Sequence, residues 1–480
     1  MVVEDRITRT PYGYFFDLEK EMKLFSLNED NIYYWQLVRF SLLKGITTKG
    51  LYVVGNNNKR RSYLKEIEGT LREAQKMKRA VRGLNNIDLI QIRPCVTITR
   101  EGRLDDHQYD YIDLTNRFKS IDLYCLGQYT NVNQCVEYSM APAEKKVFFS
   151  KVLGKIIGKK QLDDKHRIKL EDFIKKINNY YGTQFDIQML NQRIQYELIC
   201  HSHYKKYFVE LFKRTKPKLL LEYPHYDDHM FAANAAAKEL GIKTIEFEHG
   251  RINAHEAYWY EDHSKEGKLL PDYFFVYGKW WKEQIKLPPF CKVVVVGNPY
   301  LEKQIEMFPK TTASNRTISV FSNPQNGKVL SEFIYELQDY VVKNGIQILY
   351  KLHPNEKNVW RTEYPLLGKM KNVTVIDSGS VYEVLSRSEA AIGINSTVFF
   401  EALAYRNIDL YIYTIGDYEG MKPLLEIGKA RGVGKSEELI AYLDEPKDNT
   451  SGIIEANEMW ECNANANICN ALTEILKNIK

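Results

Sequence analysis

Ala391-Ile-Gly-Ile-Asn-Ser-Thr-Val-Phe-Phe-Glu-Ala-Leu403 is a short apolar strand that turns at once into a helix. The strand reads as Ala390–Ile394, the turn as Asn395-Ser396-Thr397, and the helix carries Glu401. Hydroxyls and free backbone N–H groups at a helix N-terminus form a ready anion site. Some forty residues earlier a second strand, Ile346–Leu352, ends in Lys351-Leu-His353-Pro354. One strand end offers a cation and a histidine, the other an anion-binding turn. On one sheet, that pairing points to a nucleotide mono- or diphosphate site.

Outward from these two strands the C-terminal half alternates strand and helix. The spacing predicts strands at Thr317–Phe321, Val373–Ile376 and Leu410–Tyr413, with helices at Val329–Lys343, Val381–Ser386 and Val398–Tyr405. Such alternation is the pattern of parallel βαβ units. Leu219–Val296 repeats it: strands at Leu219–Glu222, Thr244–Glu248, Tyr273–Tyr277 and Val293–Val296, and an Ala-rich helix His229–Leu240 closed by Gly241. In the first 215 residues Leu51–Val54, Asp88–Ile92 and Ile121–Cys125 read as strands, the last two flanking an insertion at Thr97–Phe118, and Glu66–Arg82 as a charged helix. Gly297-Asn298-Pro299 breaks the pattern. The expected fold is α/β, two Rossmann-like domains (1–305 and 306–480) with parallel sheets facing an interdomain cleft, ligands lying at the carboxyl ends of the strands.

Composition bounds the rest. The chain has 480 residues, 44% hydrophobic and 27% charged, enough for two cores. A net charge of +5 is too mild to argue for nucleic acid. The seven cysteines are scattered with no Cys-x-x-Cys pair, which reads as reduced thiols in a cytoplasmic protein rather than disulfides or zinc ligands. Met1-Val-Val-Glu-Asp-Arg6 does not read as a signal peptide, and no apolar run approaches a membrane span of about 20 residues. Within 145–169, Lys151, Lys155 and Lys159 recur opposite Phe148, Val152 and Ile156, a basic amphipathic pattern suited either to the core surface or to peripheral contact with an anionic inner membrane.

Lys351-Leu-His353-Pro354 followed by Asn395-Ser396-Thr397 and Glu401-Ala402-Leu403 resembles the His-Pro and Ser-Ser/Ser-Thr motifs of a group of GT-B glycosyltransferases. The group includes bacterial sialyltransferases, capsule Kdo transferases and CDP-glycerol glycerophosphotransferases, and the resemblance covers about residues 217–430. It implies a bacterial, metal-independent, inverting glycosyltransferase with no resident cofactor. The donor would be a nucleotide sugar, CMP- or CDP-linked, with a CMP-linked acidic sugar as one candidate. The acceptor would be a glycan or lipid-linked glycan of capsule or lipopolysaccharide. A CDP-glycerol or CDP-ribitol phosphotransferase, or a silent nucleotide-sugar-binding subunit, would keep the same sites.

The resemblance carries His353 over as the group that meets the nucleotide phosphate or protonates the leaving group. Ser396 and Thr397 are read as phosphate contacts or as helix caps, and Glu401 as a ribose contact or a helix-dipole partner. Lys351 is a phosphate partner or a surface charge. Asn395 belongs to the same turn. Asn323 and Gln325 lie in an amide-rich loop after the first strand of the domain, and Ser378 follows another strand. That loop lacks G-x-G-x-x-G, against a nicotinamide cofactor. In the N-terminal half Glu246 and Glu248 fall on one strand face, with His249-Gly250 at the tip. Transfer to a hydroxyl needs a base, and His249 and Glu248 are the candidates. Glu222, His225, Asp227, Asp228 and His229 read as an acceptor-facing cluster, with Asp228 the expected N-cap of the Ala-rich helix; their spacing matches no zinc template.

Overall fold

The computed structural model describes residues 12–48, 86–93, 98–100, 103–105, 111–114, 117–125, 136–138, 162–252, 256–311, 316–405, 407–445 and 456–479. The expected strand Leu51–Val54, the helix Glu66–Arg82 and the lysines Lys151, Lys155 and Lys159 lie outside the described residues. Two compact units emerge: Met1–Gly297 with Asn465–Lys480, and Asn298–Ala464. The division thus falls at Gly297/Asn298, and the last residues group with the first unit, whereas the sequence reading kept 306–480 together.

The first unit holds a seven-stranded sheet. Its strands are β1 (Leu89–Ile92), β2 (Ser120–Cys125), β3 (Val136–Tyr138), β4 (Leu219–Glu222), β5 (Lys243–Phe247), β6 (Tyr273–Val276) and β7 (Lys292–Val295). Every pair is parallel and the order is β7-β6-β5-β4-β1-β2-β3. Leu219, Leu220 and Leu221 are all fully buried, as a central parallel strand requires when both faces are covered. One face is covered by the helices Ile187–Thr215 and Asp228–Glu239. Ala232, Ala233, Ala236 and Ala237 are fully buried there, and their small side chains let the second helix lie close against Tyr204, Phe208 and Phe212 of the first.

The other face is covered by the helix Ala464–Lys477, through Ile468, Cys469, Leu472 and Ile475 packed on Leu89, Leu219, Leu221 and Phe275. Asn465 adds two amide bonds to the segment after β1, from its Nδ2 to the Tyr111 carbonyl (3.0 Å) and from the Asp113 N–H to its Oδ1 (2.9 Å). The N-terminal helices Gly13–Glu21 and Trp35–Thr48 are joined by a buried ion pair, Arg39 Nε to Glu19 Oε1 at 2.6 Å. Arg39 also donates to the Trp259 carbonyl, and its guanidinium lies 4.4 Å from the Tyr260 ring centre.

The second unit is a six-stranded sheet. Its strands are β8 (Thr317–Phe321), β9 (Gln347–Lys351), β10 (Val373–Ile376), β11 (Ala390–Gly393), β12 (Asp409–Tyr413) and β13 (Arg431–Val433). The order is β10-β9-β8-β11-β12-β13, parallel throughout. The chain therefore runs outward one way through β9 and β10, returns, and runs out the other way through β12 and β13. This places the topological switch between β8 and β11. The expected α/β class with a parallel sheet in each half is what the structure has. Among the described residues no helix is long and apolar enough to cross a membrane.

Leu472 is fully buried between its helix and the first sheet. Leu472→Ala should lower the unfolding free energy of the first unit by about 2–5 kcal/mol, read by chemical denaturation. Removing 465–480 should uncover the apolar sheet face and leave the chain aggregated in size-exclusion chromatography.

Candidate functional site

The carboxyl ends of β8 and β11 flank the switch point, where a doubly wound sheet leaves room for a ligand. After β8 the chain turns at Ser322-Asn323 into the helix Gly327–Glu336. Asn323 Oδ1 accepts the Asn326 N–H at 3.0 Å, and its Nδ2 donates to the Asn395 carbonyl after β11 at 2.8 Å. One side chain thus clasps the two strand ends. Gly393 permits their approach: a Cβ there would lie 2.8 Å from the Phe321 carbonyl oxygen and 2.9 Å from the Phe399 ring.

After Asn395, Ser396 Oγ accepts the Val398 N–H at a long 3.4 Å, and the exposed Thr397 makes no side-chain capping bond. The helix that follows, Val398–Ala402, has only 5 residues. Its dipole is correspondingly weak, so the hydroxyls count for more here than the helix terminus on which the sequence reading leaned. Glu401 is half-buried on that short helix. Gln325 is exposed in the β8 loop.

At the end of β9, His353 sits extended (φ −67°, ψ 147°) before Pro354, as the His-Pro order requires. Its Nδ1 accepts the Asn355 N–H at 3.2 Å, so the neutral ring carries its proton on Nε2. The ring is exposed. His353 is therefore held as an N–H donor at a strand end.

The group that holds this loop was not picked out from the sequence. Glu356 is buried, and its carboxylate accepts from the His353 N–H (2.7 Å), the Ser322 hydroxyl (2.8 Å) and the Tyr364 hydroxyl (2.6 Å). It ties the β8 and β9 ends together. Gly327 makes room for it, since a Cβ there would run into the Glu356 carboxylate and the Tyr364 hydroxyl. The signal was present as a capping box, His353-Pro-Asn-Glu356. Gly416, after β12, also escaped the sequence reading. Its φ is +93°, and a Cβ would lie 2.8 Å from Asn326 Oδ1, so the β12 loop closes on the β8 loop only with glycine there.

Lys351 is buried at the end of β9, and burial lowers its pKa against the opposing charge of Asp377. Ser378, exposed after the edge strand β10, stands three strand spacings from β11, about 14 Å. The structure thus brings together Asn323, Asn395, Ser396 and Thr397, sets Lys351 and His353 at the end of the strand next to β8, and places Ser378 at the sheet edge.

In the first unit the candidate bases separate. Glu248 is buried: its Oε2 accepts the Tyr277 N–H at 2.7 Å, while its Oε1 is buried without a partner. Burial pushes its carboxyl well above the usual carboxylate range, and the Tyr277 bond offsets this only in part. It is an enclosed acid whose burial favours the protonated form. His249 is half-exposed and bonded at both nitrogens, to the Tyr226 hydroxyl (Nε2, 3.0 Å) and the Tyr258 hydroxyl (Nδ1, 3.3 Å). Glu246 is fully buried and meets Tyr258 Oη at 2.8 Å and His225 Nδ1 at 2.7 Å. Tyr226 and Tyr258 are part of this site that sequence reasoning missed; one loop tyrosine among 33 carries no signal of its own.

The rest of the acidic cluster is structural. Glu222 is fully buried against Asn234 Nδ2 (2.7 Å), and burial together with Glu246 holds its carboxyl well up. The helix N-cap is Asp227, which accepts the His229 N–H at 2.9 Å, and not Asp228 as expected. Asp228 is the first helical residue, and burial, aided by Asp227, pushes its pKa up to about 6. Among the described residues, Glu29, Asp163 and His166 bring ligand-type atoms within 4.8 Å of one another, but at the start of the helix Asp164–Tyr181, away from the strand ends.

Glu356→Ala should leave three donors unmatched and lower stability by on the order of 1–3 kcal/mol in urea unfolding. A folded state that holds the Asp228 proton is favoured fully below the unfolded value of 3.8 and loses that advantage as pH rises through about 6. Asp228→Asn should therefore raise the melting temperature at pH 8, by on the order of 1–3 kcal/mol of stability, and change it little at pH 3.5.

No protein-family model matches the chain, and no curated protein does. Among solved structures it is similar to Acinetobacter baumannii MurG, at 11% identity and a TM-score of 0.46 over 81% of this chain and 99% of that one. It is similar to the S. aureus MnaA–UDP co-structure at 12% identity and a TM-score of 0.44, over 82% and 97%. It is also similar to UDP-GlcNAc 2-epimerase from Neisseria meningitidis bound to UDP-GlcNAc, at 13% identity and a TM-score of 0.42, over 81% and 98%. At these identities the chemistry has to be argued from the residues of this chain.

Proposed function

We propose that this protein is a glycosyltransferase that moves a sugar from a nucleotide-sugar donor to a hydroxyl of a glycan acceptor. The observation that carries the reading is the Asn323–Asn395 clasp at the switch point of the second unit. It holds the turn carrying the Ser396 and Thr397 hydroxyls against β8, and the strand on the other side of β8 presents His353 as an Nε2–H donor. Ends of strands two spacings apart lie about 10 Å from each other, the reach of a phosphate together with its ribose. In this reading the hydroxyls and the imidazole N–H take the phosphate of the nucleotide.

The acceptor oxygen attacks the anomeric carbon, the bond from that carbon to the phosphate oxygen breaks, and the nucleotide leaves with the bonding pair. Charge gathers on the departing phosphate, where fixed donors lower the barrier most. His249, in the first unit, takes the acceptor proton. Glu248 is less suited, because it is enclosed and burial favours its protonated form. The CMP- or CDP-linked donor and the capsule or lipopolysaccharide acceptor come from the motif resemblance and are part of the proposal, as is use without a bound metal.

A thermal-shift panel with CMP, CDP, UDP and GDP tests the nucleotide site. A ligand at 100 times its Kd should stabilise the fold by about 2.7 kcal/mol, visible as a rise in melting temperature. Asn323→Ala and His353→Ala should each abolish most of the shift while the unliganded protein still melts cooperatively. With the nucleotide so identified, His249→Gln should lose sugar transfer by 100-fold or more, and Glu248→Gln should keep it. No shift with any nucleotide, or full transfer in His353→Ala, would sink the reading.

A further inference from the structure

Two runs of hydrogen bonds meet at the Glu246 carboxylate, one reaching it from Leu269 and the other leading from it to His249. The Leu269 N–H donates to Gln36 Oε1 at 2.5 Å, and a backbone N–H can do nothing else. The amide is thereby fixed, and Gln36 Nε2 faces the Tyr260 hydroxyl at 3.2 Å. The Tyr260 oxygen accepts there, which leaves its own proton for His225 Nε2 at 3.5 Å. An ionised carboxylate only accepts, so His225 carries its proton on Nδ1 and gives it to Glu246 Oε2 at 2.7 Å. From the other side Tyr258 donates to Glu246 Oε1 at 2.8 Å. Both oxygens of this fully buried carboxylate are acceptors. With its proton committed to Glu246, the Tyr258 hydroxyl can meet His249 Nδ1, 3.3 Å away, only as an acceptor.

We propose that Glu246 is a positioning residue that, through Tyr258, holds His249 as the Nδ1–H tautomer and leaves its Nε2 lone pair as the base for the acceptor hydroxyl. The inference rests on the reading of His249 as the base. With that tautomer the Tyr226 hydroxyl, 3.0 Å from Nε2, donates to it, so an acceptor hydroxyl replaces Tyr226 on entering. When Nε2 takes the acceptor proton, the ring becomes an imidazolium. Its Nδ1–H already points at an oxygen whose own proton is drawn toward Glu246. The arrangement needs no reorientation at the moment of transfer, which is the physical content of preorganisation. Glu246 touches neither the acceptor nor the donor in this scheme.

The tautomer can be read without any substrate. In full-length protein labelled with 15N at the histidine side chains, the His249 signals are assigned by their loss in His249→Gln. Long-range proton–nitrogen spectra at pH 7.5 should show Nδ1 protonated and Nε2 bare. Tyr258→Phe removes the acceptor of Nδ1 but keeps the ring, and should convert most of the population to Nε2–H. Glu246→Gln, which puts a donor where an acceptor stood, should do the same if it folds; Tyr258→Phe decides the matter if it does not. A His249 that is Nε2–H in the unaltered protein, or one unmoved by Tyr258→Phe, overturns the proposal. If the tautomer is as stated but His249→Gln retains sugar transfer, the base assignment falls while the positioning chain stands.

Discussion

Both sheets are parallel and their central strands are buried along their length, and that constraint governs where this chain can do chemistry. A strand such as Leu219–Leu221 has no exposed side, so polar groups within the layers must be fully matched and polar groups free to meet a ligand can stand only at the strand ends. In the second unit the chain winds outward from β8 and β11 in two directions. The two strand ends are bridged by one asparagine, Asn323, and the loops around it are locked by Glu356, a carboxylate with three donors. Two glycines, Gly393 and Gly416, allow the close passes that a Cβ would block.

The first unit solves a different problem. It keeps an unusual set of ionisable groups inside: Glu222, Glu246, Glu248, His225 and the Glu19–Arg39 pair. Each buried group costs desolvation energy that hydrogen bonds must offset. Glu246 is matched at both oxygens, and Glu19 by Trp35 and Arg39, whereas Glu248 is matched at one oxygen and burial raises its pKa. Such networks are stiff, since moving one member unpairs the next. That stiffness holds the His225 and Tyr258 donors on the Glu246 carboxylate.

Much of the scaffold was legible in the chain. Thr317–Phe321, Val373–Ile376, Val381–Ser386 and Leu219–Glu222 form where the apolar runs and the turn residues at their ends place them. The His-Pro loop takes the extended backbone that Pro354 demands. The long helix expected over Val329–Lys343 is instead two, Gly327–Glu336 and Gln338–Lys343, and the helix after Thr397 stops at Ala402. Helical periodicity sets which face is apolar but not where the backbone hydrogen bonds give way to packing. The cap was misplaced by one residue, from Asp227 to Asp228, because adjacent aspartates offer the same side chain and only the backbone conformation selects between them.

Local sequence determined which residues could form strands, which turns would end them, and which polar side chains would stand at those turns. These follow from periods of two and 3.6 residues and from backbone preferences that act over a few positions. Tertiary structure alone decided that Asn323 reaches Asn395 across 72 positions, that Glu248 is enclosed while His249 next to it is open, and that the helix Ala464–Lys477 returns to cover the first sheet. The reason is the range of the interactions. Hydrogen-bond matching and burial are set by groups far apart in the chain, and no local pattern records which distant group arrives.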